Sequence, residues 1–145
     1  MRTWYLEERD VCRRLGVRLL DIQLAAQNLP SPEKVKILLA AYRNGPYPML
    51  IHCAAGADRT GLAAALYLID RKGLSVKEAQ RKCLNLAHGH MAFGRTRAMD
   101  TFLGLLERNK KSFSAWMDEE YPAIHRFESQ KGLGEKLVEP LRADE

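Results

Sequence analysis

One ten-residue stretch, residues 52–61, carries the residue types of a nucleophilic site and reads HCAAGADRTG. Cys53 stands near its start and Arg59 near its end. A thiolate is a strong nucleophile, and a guanidinium presents planar donors that suit bidentate contact with phosphate oxygens. A sulfur nucleophile beside a phosphate ligand predicts covalent phosphoryl transfer to Cys53.

The flanking residues indicate how this stretch is positioned. A short apolar run precedes it and a run of helix formers follows it, which predicts a strand, a tight loop and a helix. The first amides of such a helix are unpaired and carry the positive end of its dipole. Gly56 can adopt a positive φ, so that successive loop amides turn inward and form an anion site. The same field is expected to lower the pKa of Cys53, with His52 and the Thr60 hydroxyl in support.

These residues resemble a known family. HCAAGADRTG is similar to the Cys-x5-Arg loop of the cysteine-dependent protein phosphatases, in the tyrosine and dual-specificity superfamily. From about Arg14 to about Leu106 the chain resembles bacterial dual-specificity-type phosphatases, through RLLDIQLAAQNLPSPEKV before the loop and AHGHMAFGRTRAMDTFL after it. The resemblance implies a metal-independent phosphatase that needs no cofactor.

The resemblance also implies a role for each residue of the loop. Cys53 attacks phosphorus, and Thr60 helps to release the thiolate when water cleaves the cysteinyl-phosphate. The catalytic residues are then Cys53, Arg59 and Asp58, with His52 and Thr60 in support. The phosphate oxygens are held by Arg59 and by the amides of the loop residues, which are Ala54, Ala55, Gly56, Ala57, Asp58 and Arg59.

The proton donor to the leaving oxygen is harder to place, because most relatives carry an aspartate on a loop well before the cysteine. The corresponding residues 24–30 hold no acid, and Asp21 is predicted to be a surface strand residue. Asp58 is the best remaining candidate, and in certain lipid phosphatases an aspartate at this position has been proposed as the acid. Alternatively, Asp58 pairs with a neighbouring base or caps the helix. Without any acid, phosphotyrosine would remain a feasible substrate and phosphoserine would react slowly.

The rest of the chain predicts an α/β fold: a small sheet flanked by helices, phosphatase-like, with a helix-rich C-terminal half. Strands are expected at Val17–Leu24 and Pro48–His52, although the family implies four or five, so the usual N-terminal strands are lacking. Residues missing before Met1, a partner that covers the sheet edge, or an abridged fold would each explain this. Helices are expected at 3–15, from Pro32 to about Asn44, at 60–72, 75–87 and 96–110, and from Ser112 or Ser114 onward.

Length and composition bound the remaining expectations. The 145 residues suffice for one core, so a single phosphatase-like domain is predicted at 1–128, with a polar tail at 129–145. The sequence leaves open a truncation of this domain at its N-terminus. The net charge of +5 suits acidic substrates, but the basic residues are scattered, and no nucleic-acid partner is expected. Three cysteines, a charged N-terminus and the lack of a membrane-length apolar run predict a cytoplasmic protein with free thiols.

Other chemistry-bearing residues have plainer interpretations. The spacing of Cys83, His88 and His90 matches no common zinc site, and the two histidines are expected in a loop near the catalytic mouth. Arg95 and Arg97 either contact substrate phosphates or are solvated. Cys12 and Cys83 are expected to be packing residues on helices.

The predicted substrates are phosphotyrosine or dual-specificity protein substrates, because many phosphoinositide-acting relatives carry lysine where this chain has Ala57. A phosphoinositide phosphatase and a catalytically impaired, phosphate-binding pseudophosphatase stay as alternatives. A sulfur-transfer or arsenate-reducing enzyme would need a partner thiol.

Overall fold

The structure of the protein is a computed structural model that describes residues 3–91 and 97–138, with side chains through residue 130. Seven α-helices and one 3₁₀ turn account for most of this part of the chain. The helices are α1 Thr3–Leu15, α2 Pro32–Asn44, α3 Asp58–Lys72, α4 Val76–Cys83, α5 Arg97–Arg108, α6 Phe113–Glu119 and α7 Tyr121–Val138, and the 3₁₀ turn is Leu86–His88.

The predicted α/β fold with a small sheet is wrong, since the described residues are helical and contain no strand. Residues 17–24 and 48–52, which the sequence analysis assigned to strands, are irregular and unpaired. Ile22 and Leu24 are half-buried while Gln23 between them is exposed, so the alternating pattern reflects one-sided packing on a helical core. Two strands alone would also form only a marginal sheet.

Local capping signals place one end of each of four helices where the sequence predicts it. The Ser31 hydroxyl accepts a hydrogen bond from an amide in the first turn of α2. Gly73 ends α3 in the left-handed conformation at φ 66°, which favours glycine. Ser75 and Glu78 form the predicted capping box of α4. Ser112 caps α6 through its hydroxyl.

The core is built around α3, as its nearly all-round apolar sequence predicts. The hydroxyl of Tyr42 on α2 donates a hydrogen bond of 2.8 Å to the Ala63 carbonyl of α3. On the other side an aromatic cluster joins α5, α6 and α7. The largest fully buried side chains are Trp116, Tyr42, Tyr121, Phe102, Leu62, Leu66, Met99, Leu103, Met117 and Val35.

Helices α3 and α4 lie close together at Gly61. A Cβ atom built on Gly61 would lie 2.6 Å from the Cys83 carbonyl oxygen and 3.2 Å from the side chain of Leu84. Only glycine therefore permits this approach, which brings the C-terminal end of α4 next to the start of α3.

The two ends of the chain contrast with this core. None of the residues of α1 is buried, and the helix is held by polar contacts, among them a hydrogen bond from Tyr5 to Asp21. Helix α7 continues through residue 138, across the predicted boundary at 128, and the division into domain and tail stays a prediction. No helix in the described ranges is long and apolar enough to cross a membrane.

Candidate active site

The signature loop, residues 53–59, leads directly into α3, which begins at Asp58. Gly56 has φ +70°, and a Cβ atom placed there would meet no atom within 4 Å. Glycine is thus needed at this position for its backbone conformation and not for lack of space. Ala54, Ala55 and Gly56 are exposed, so the amides of the loop are within reach of a ligand from solvent.

Cys53 is half-buried and has an acidic thiol. Burial raises its pKa, but the adjacent Thr60 hydroxyl and hydrogen bonds from the amides of Ala55, Thr60 and Gly56 outweigh burial and lower the pKa to about 7. Near neutral pH much of the sulfur is therefore thiolate, the nucleophilic form. The causes of the lowered Cys53 pKa are thus the Thr60 hydroxyl and the backbone amides of the loop and of the first turn of α3.

The Thr60 hydroxyl oxygen is buried and has no hydrogen-bond partner of ordinary geometry among the described residues. Its interaction with the Cys53 sulfur is therefore electrostatic rather than a well-formed hydrogen bond. A buried hydroxyl without a partner is unfavourable, and a negative charge on the adjacent sulfur relieves that cost. The arrangement favours the thiolate over the thiol.

Arg59 lies in the first turn of α3 and is partly buried. In the described part of the chain, its guanidinium forms no ion pair or hydrogen bond. An arginine without a protein partner at a helix N-terminus retains its donors for an anionic ligand.

His52 precedes the nucleophile and contacts the N-terminal helix. Its Nε2 atom lies 2.6 Å from Oε1 of Glu8 on α1, and the His52 side chain is about half exposed. This contact joins α1 to the beginning of the signature loop. The predicted support of the thiolate by His52 stays a prediction.

Asp58 contacts a buried histidine that follows α4. Oδ1 of Asp58 lies 2.7 Å from Nδ1 of His90, and Nε2 of His90 lies 2.9 Å from Oδ2 of Asp100 on α5. The amide of Gln80 on α4 donates a 2.8 Å hydrogen bond to the other oxygen of Asp100. The side chain of His90 is only 2% exposed. We call these four side chains the His90 network. Asp58 thus does pair with a neighbouring base, one of the roles that its sequence left open.

The contacts of His90 determine its charge. A neutral imidazole carries a hydrogen on one nitrogen only, and both nitrogens of His90 face carboxylates, so both must carry hydrogens. Burial lowers the pKa of His90, but the hydrogen bonds to Asp58 and Asp100 outweigh burial and raise the pKa above its ordinary value. His90 is therefore an imidazolium between two carboxylates.

The sequence analysis missed the role of His90, which it treated as a weak zinc candidate and a mouth residue. Asp100 was not singled out at all, although it lies beside Met99 in the apolar stripe of α5, an unusual place for a carboxylate without a partner. The segment of His88 and His90 does lie beside the signature loop, since a Cβ atom on Gly89 would lie 3.6 Å from the Cβ atom of Ala57.

The remaining candidate residues lie apart from the signature loop or outside the described residues. His88 is exposed and its Nδ1 atom contacts the Asn85 side chain. Cys12 and Cys83 are half-buried free thiols on α1 and α4. Arg97 is exposed at the start of α5, and Arg95 lies outside the described residues. Within the described ranges no three His, Cys, Asp or Glu side chains are grouped as metal ligands would be.

A comparison with models of protein families gives one match. The model described as the tyrosine phosphatase family matches residues 20–144, a range that contains the signature loop, the His90 network and every helix except α1. No curated protein and no solved structure matches the chain.

Proposed function

Because the chain belongs to the tyrosine phosphatase family, which makes it a phosphatase, we propose that it hydrolyses phosphate monoesters through a phosphocysteine intermediate on Cys53. The observation that carries this proposal is the pKa of Cys53, lowered to about 7 by the amides and the hydroxyl of its own loop. An acidic thiol held by inward-facing donors, beside an arginine whose guanidinium has no partner among the described residues, suits attack on a phosphate dianion.

In the first half-reaction the Cys53 thiolate attacks phosphorus, a sulfur–phosphorus bond forms and the ester oxygen leaves with the bond's electrons. The loop amides and the Arg59 guanidinium hold the remaining phosphate oxygens. Preorganised donors of this kind each contribute about 3 to 4 kcal/mol to transition-state stabilisation in acyl-transfer enzymes.

In the second half-reaction water attacks the phosphocysteine and the sulfur leaves as thiolate. The Thr60 hydroxyl, which lacks a protein partner among the described residues, stabilises the departing sulfur. The attacking water gives one proton to the Asp58 carboxylate, which passes it to solvent, and inorganic phosphate is released.

Asp58 is the carboxyl group proposed to exchange protons with the substrate. Its side chain is about a quarter exposed, and its Oδ1 atom accepts a hydrogen bond from His90. Asp58 makes this contact as a carboxylate, which accepts the hydrogen bond from the imidazolium. That form suits the acceptance of a proton from water better than the donation of a proton to a leaving group.

The proposed substrates are phosphotyrosine-type protein substrates. A carboxylate at position 58 leaves the first half-reaction with little acid assistance, and a phenol is a far better leaving group than an alcohol. Ala57 lacks the positive charge that a highly anionic inositol phosphate would need at this position. A phosphoinositide substrate remains the alternative, on the strength of the aspartate in the loop.

Hydrolysis of para-nitrophenyl phosphate by the wild-type protein and by Cys53→Ser tests the function. The serine variant should lose activity by about four orders of magnitude or more, as when other enzymes lose their nucleophile. Cys83→Ser and Cys12→Ser are the matched controls, and both should retain full turnover because neither thiol lies in the loop. Equal rates for wild type and Cys53→Ser would contradict the proposal, and vanadate binding without turnover would support the pseudophosphatase instead.

A further inference from the structure

We propose that His90 is a positioning residue of this active site: as an imidazolium between Asp58 and Asp100, it fixes the Asp58 carboxylate at the start of α3 and ties the signature loop to α5. Only the kinetic test of this inference rests on the proposed phosphatase function. The acidity of Cys53 provides a second readout that needs no turnover.

The geometry of the contacts supports this role. Asp58 is the first residue of α3 and directly precedes Arg59, so the position of the Asp58 side chain affects the orientation of Arg59 and of the loop amides. His90 joins it to α5 through contacts of 2.7 and 2.9 Å. Gln80 extends the connection to α4. The His90 ring thus connects α3 to α5, and α4 joins them through Asp100. His90 is the only charged or polar residue among the fully buried ones that the structure describes.

Charge supports the same role. With His90 protonated, the network holds one positive and two negative charges and has a net charge of −1. Without the charge on His90 the network would have a net charge of −2, next to a loop that must hold a thiolate and a phosphate. The charged groups that face His90 in the described ranges are Asp58 from α3 and Asp100 from α5, whereas α4 contributes the neutral amide of Gln80.

The contact also selects which oxygen of Asp58 can serve the reaction. Oδ1 is occupied by His90, whereas Oδ2 makes no hydrogen bond to any described residue. His90 therefore leaves Oδ2 for exchange of a proton with water or with the leaving group.

Replacement of His90 by asparagine or by glutamine distinguishes a positioning role from a role in packing alone. The side-chain nitrogen of asparagine occupies the place of Nδ1, so His90→Asn retains a donor to Asp58. The nitrogen of glutamine occupies the place of Nε2, so His90→Gln retains a donor to Asp100 and loses the one to Asp58. Glutamine is closer to histidine in volume. If His90 is a positioning residue, His90→Asn should change the acidity of Cys53 less than His90→Gln does. If His90 only fills space, His90→Gln should have the smaller effect.

The direct readout is the rate at which iodoacetamide alkylates Cys53 as a function of pH, in a Cys12→Ser, Cys83→Ser background. Both His90 variants remove a positive charge, and we expect the thiolate pKa to rise by about one unit in His90→Gln, which is about a tenfold slower alkylation below pH 7. The rise should be smaller in His90→Asn, and kcat/KM for para-nitrophenyl phosphate should follow the same order. His88→Gln, an exposed histidine in the same turn, is the matched control and should change neither quantity.

Removal of Asp58 completes the experiment. In an Asp58→Asn background the difference between the two His90 variants should disappear, because the residue through which His90 acts is absent. A milder effect of Gln than of Asn, a thiolate pKa equal to the wild-type value in both variants, or a difference that persists without Asp58 would each overturn the inference. Each of these results is read from the alkylation of Cys53 and not from turnover, so the inference can fail while the proposed phosphatase function stands, and the reverse.

A measurement on the wild-type protein covers the case in which a His90 variant does not fold. The NMR signal of the His90 ring should titrate with a midpoint above about 6.5, the ordinary value for histidine. In Asp100→Asn the midpoint should fall, because one of the two carboxylates that stabilise the imidazolium is neutralised. A wild-type midpoint below the ordinary value, or an unchanged midpoint in Asp100→Asn, would overturn the inference.

Discussion

The two ends of α3 each carry an aspartate that is paired with a base, and they differ in what they leave unsatisfied. At the C-terminal end Asp70 is 6% exposed and binds Arg43 on α2, which also contacts Ser114. At the N-terminal end Asp58 binds His90. About 18 Å of helix separates the two aspartates at 1.5 Å per residue.

The base at the C-terminal end is charged at every accessible pH, and Gly73 completes the cap by donating to the Leu68 carbonyl. At the N-terminal end the base can titrate, and neither the Thr60 hydroxyl nor the Arg59 guanidinium has a hydrogen-bond partner of ordinary geometry among the described residues. We call the C-terminal end of α3, where Arg43 and Gly73 satisfy the polar groups, the closed end. We call the N-terminal end the open end, because its unpartnered donors are the ones proposed to bind phosphate. We expect the closed end to contribute mainly to stability and the open end mainly to activity. Four tests examine this division.

The largest expected effect is that of Arg59→Lys at the open end. A lysine cannot make the bidentate contact of a guanidinium, so kcat/KM for an aryl phosphate should fall by about 10² to 10³, a loss typical of one preorganised donor. Steady-state kinetics measures this. The same change at the closed end, Arg43→Lys, should leave kcat/KM unaltered. An equal loss in both variants would show that the two ends do not divide stability from function.

A second test uses glycines of similar conformation at the two ends. Gly56 and Gly73 have φ of 70° and 66°, and a Cβ atom added to either glycine would meet no atom within 4 Å. Replacement by alanine should cost about 1 to 2 kcal/mol of unfolding free energy at either site, the usual cost of a left-handed alanine. Only Gly56→Ala should weaken vanadate binding, by about tenfold if the loop relaxes to avoid that strain. Equal vanadate affinities in the two variants would contradict the assignment of the loop.

The third test is the pH dependence of stability, where two groups of the open end act in opposite directions. The pKa of His90 is raised on folding, so its contribution is complete below about pH 6.5 and is lost as the pH rises through the folded value. The pKa of Cys53 is lowered to about 7, so its contribution is lost as the pH falls through that value.

Urea unfolding between pH 6 and 9 separates these contributions. Cys53→Ser should become less stable as the pH rises, and His90→Asn should become more stable. Asp70→Asn should retain the wild-type profile, because Arg43 does not titrate in this window. Identical profiles for Cys53→Ser and His90→Asn would contradict the assignment of opposing contributions.

The smallest expected effect is that of Asp70→Asn on stability itself. Arg43 is partly exposed, so the loss of the ion pair should cost about 1 kcal/mol or less. Thermal unfolding measures the cost, and turnover of an aryl phosphate should not change. A loss of turnover would mean that the closed end also controls the site.

The sequence predicts the parts of this molecule that depend on neighbouring residues. The signature loop is contiguous, and the caps at Ser31, Gly73 and Ser75 each involve residues within one or two turns of helix, so local chemistry suffices to identify them. The domain assignment and the catalytic roles of the loop residues remain predictions.

The parts that the sequence does not predict depend on distant residues. Asp58 and His90 are 32 positions apart, and no spacing rule connects them. The sheet was predicted from an alternating pattern at Val17–Leu24, but alternation reports which side chains face the core and not whether a neighbouring strand exists. The described segment packs on helices instead.

Gly61 gives this architecture a particular vulnerability. The backbone of α4 lies so close to Gly61 that only a hydrogen atom fits between the first turn of α3 and the end of α4. An added methyl group would force α4 away from the start of α3, and the turn that carries His90 would move with α4. A substitution of Gly61 would therefore lower the activity in an assay although Cys53, Asp58 and Arg59 were unchanged.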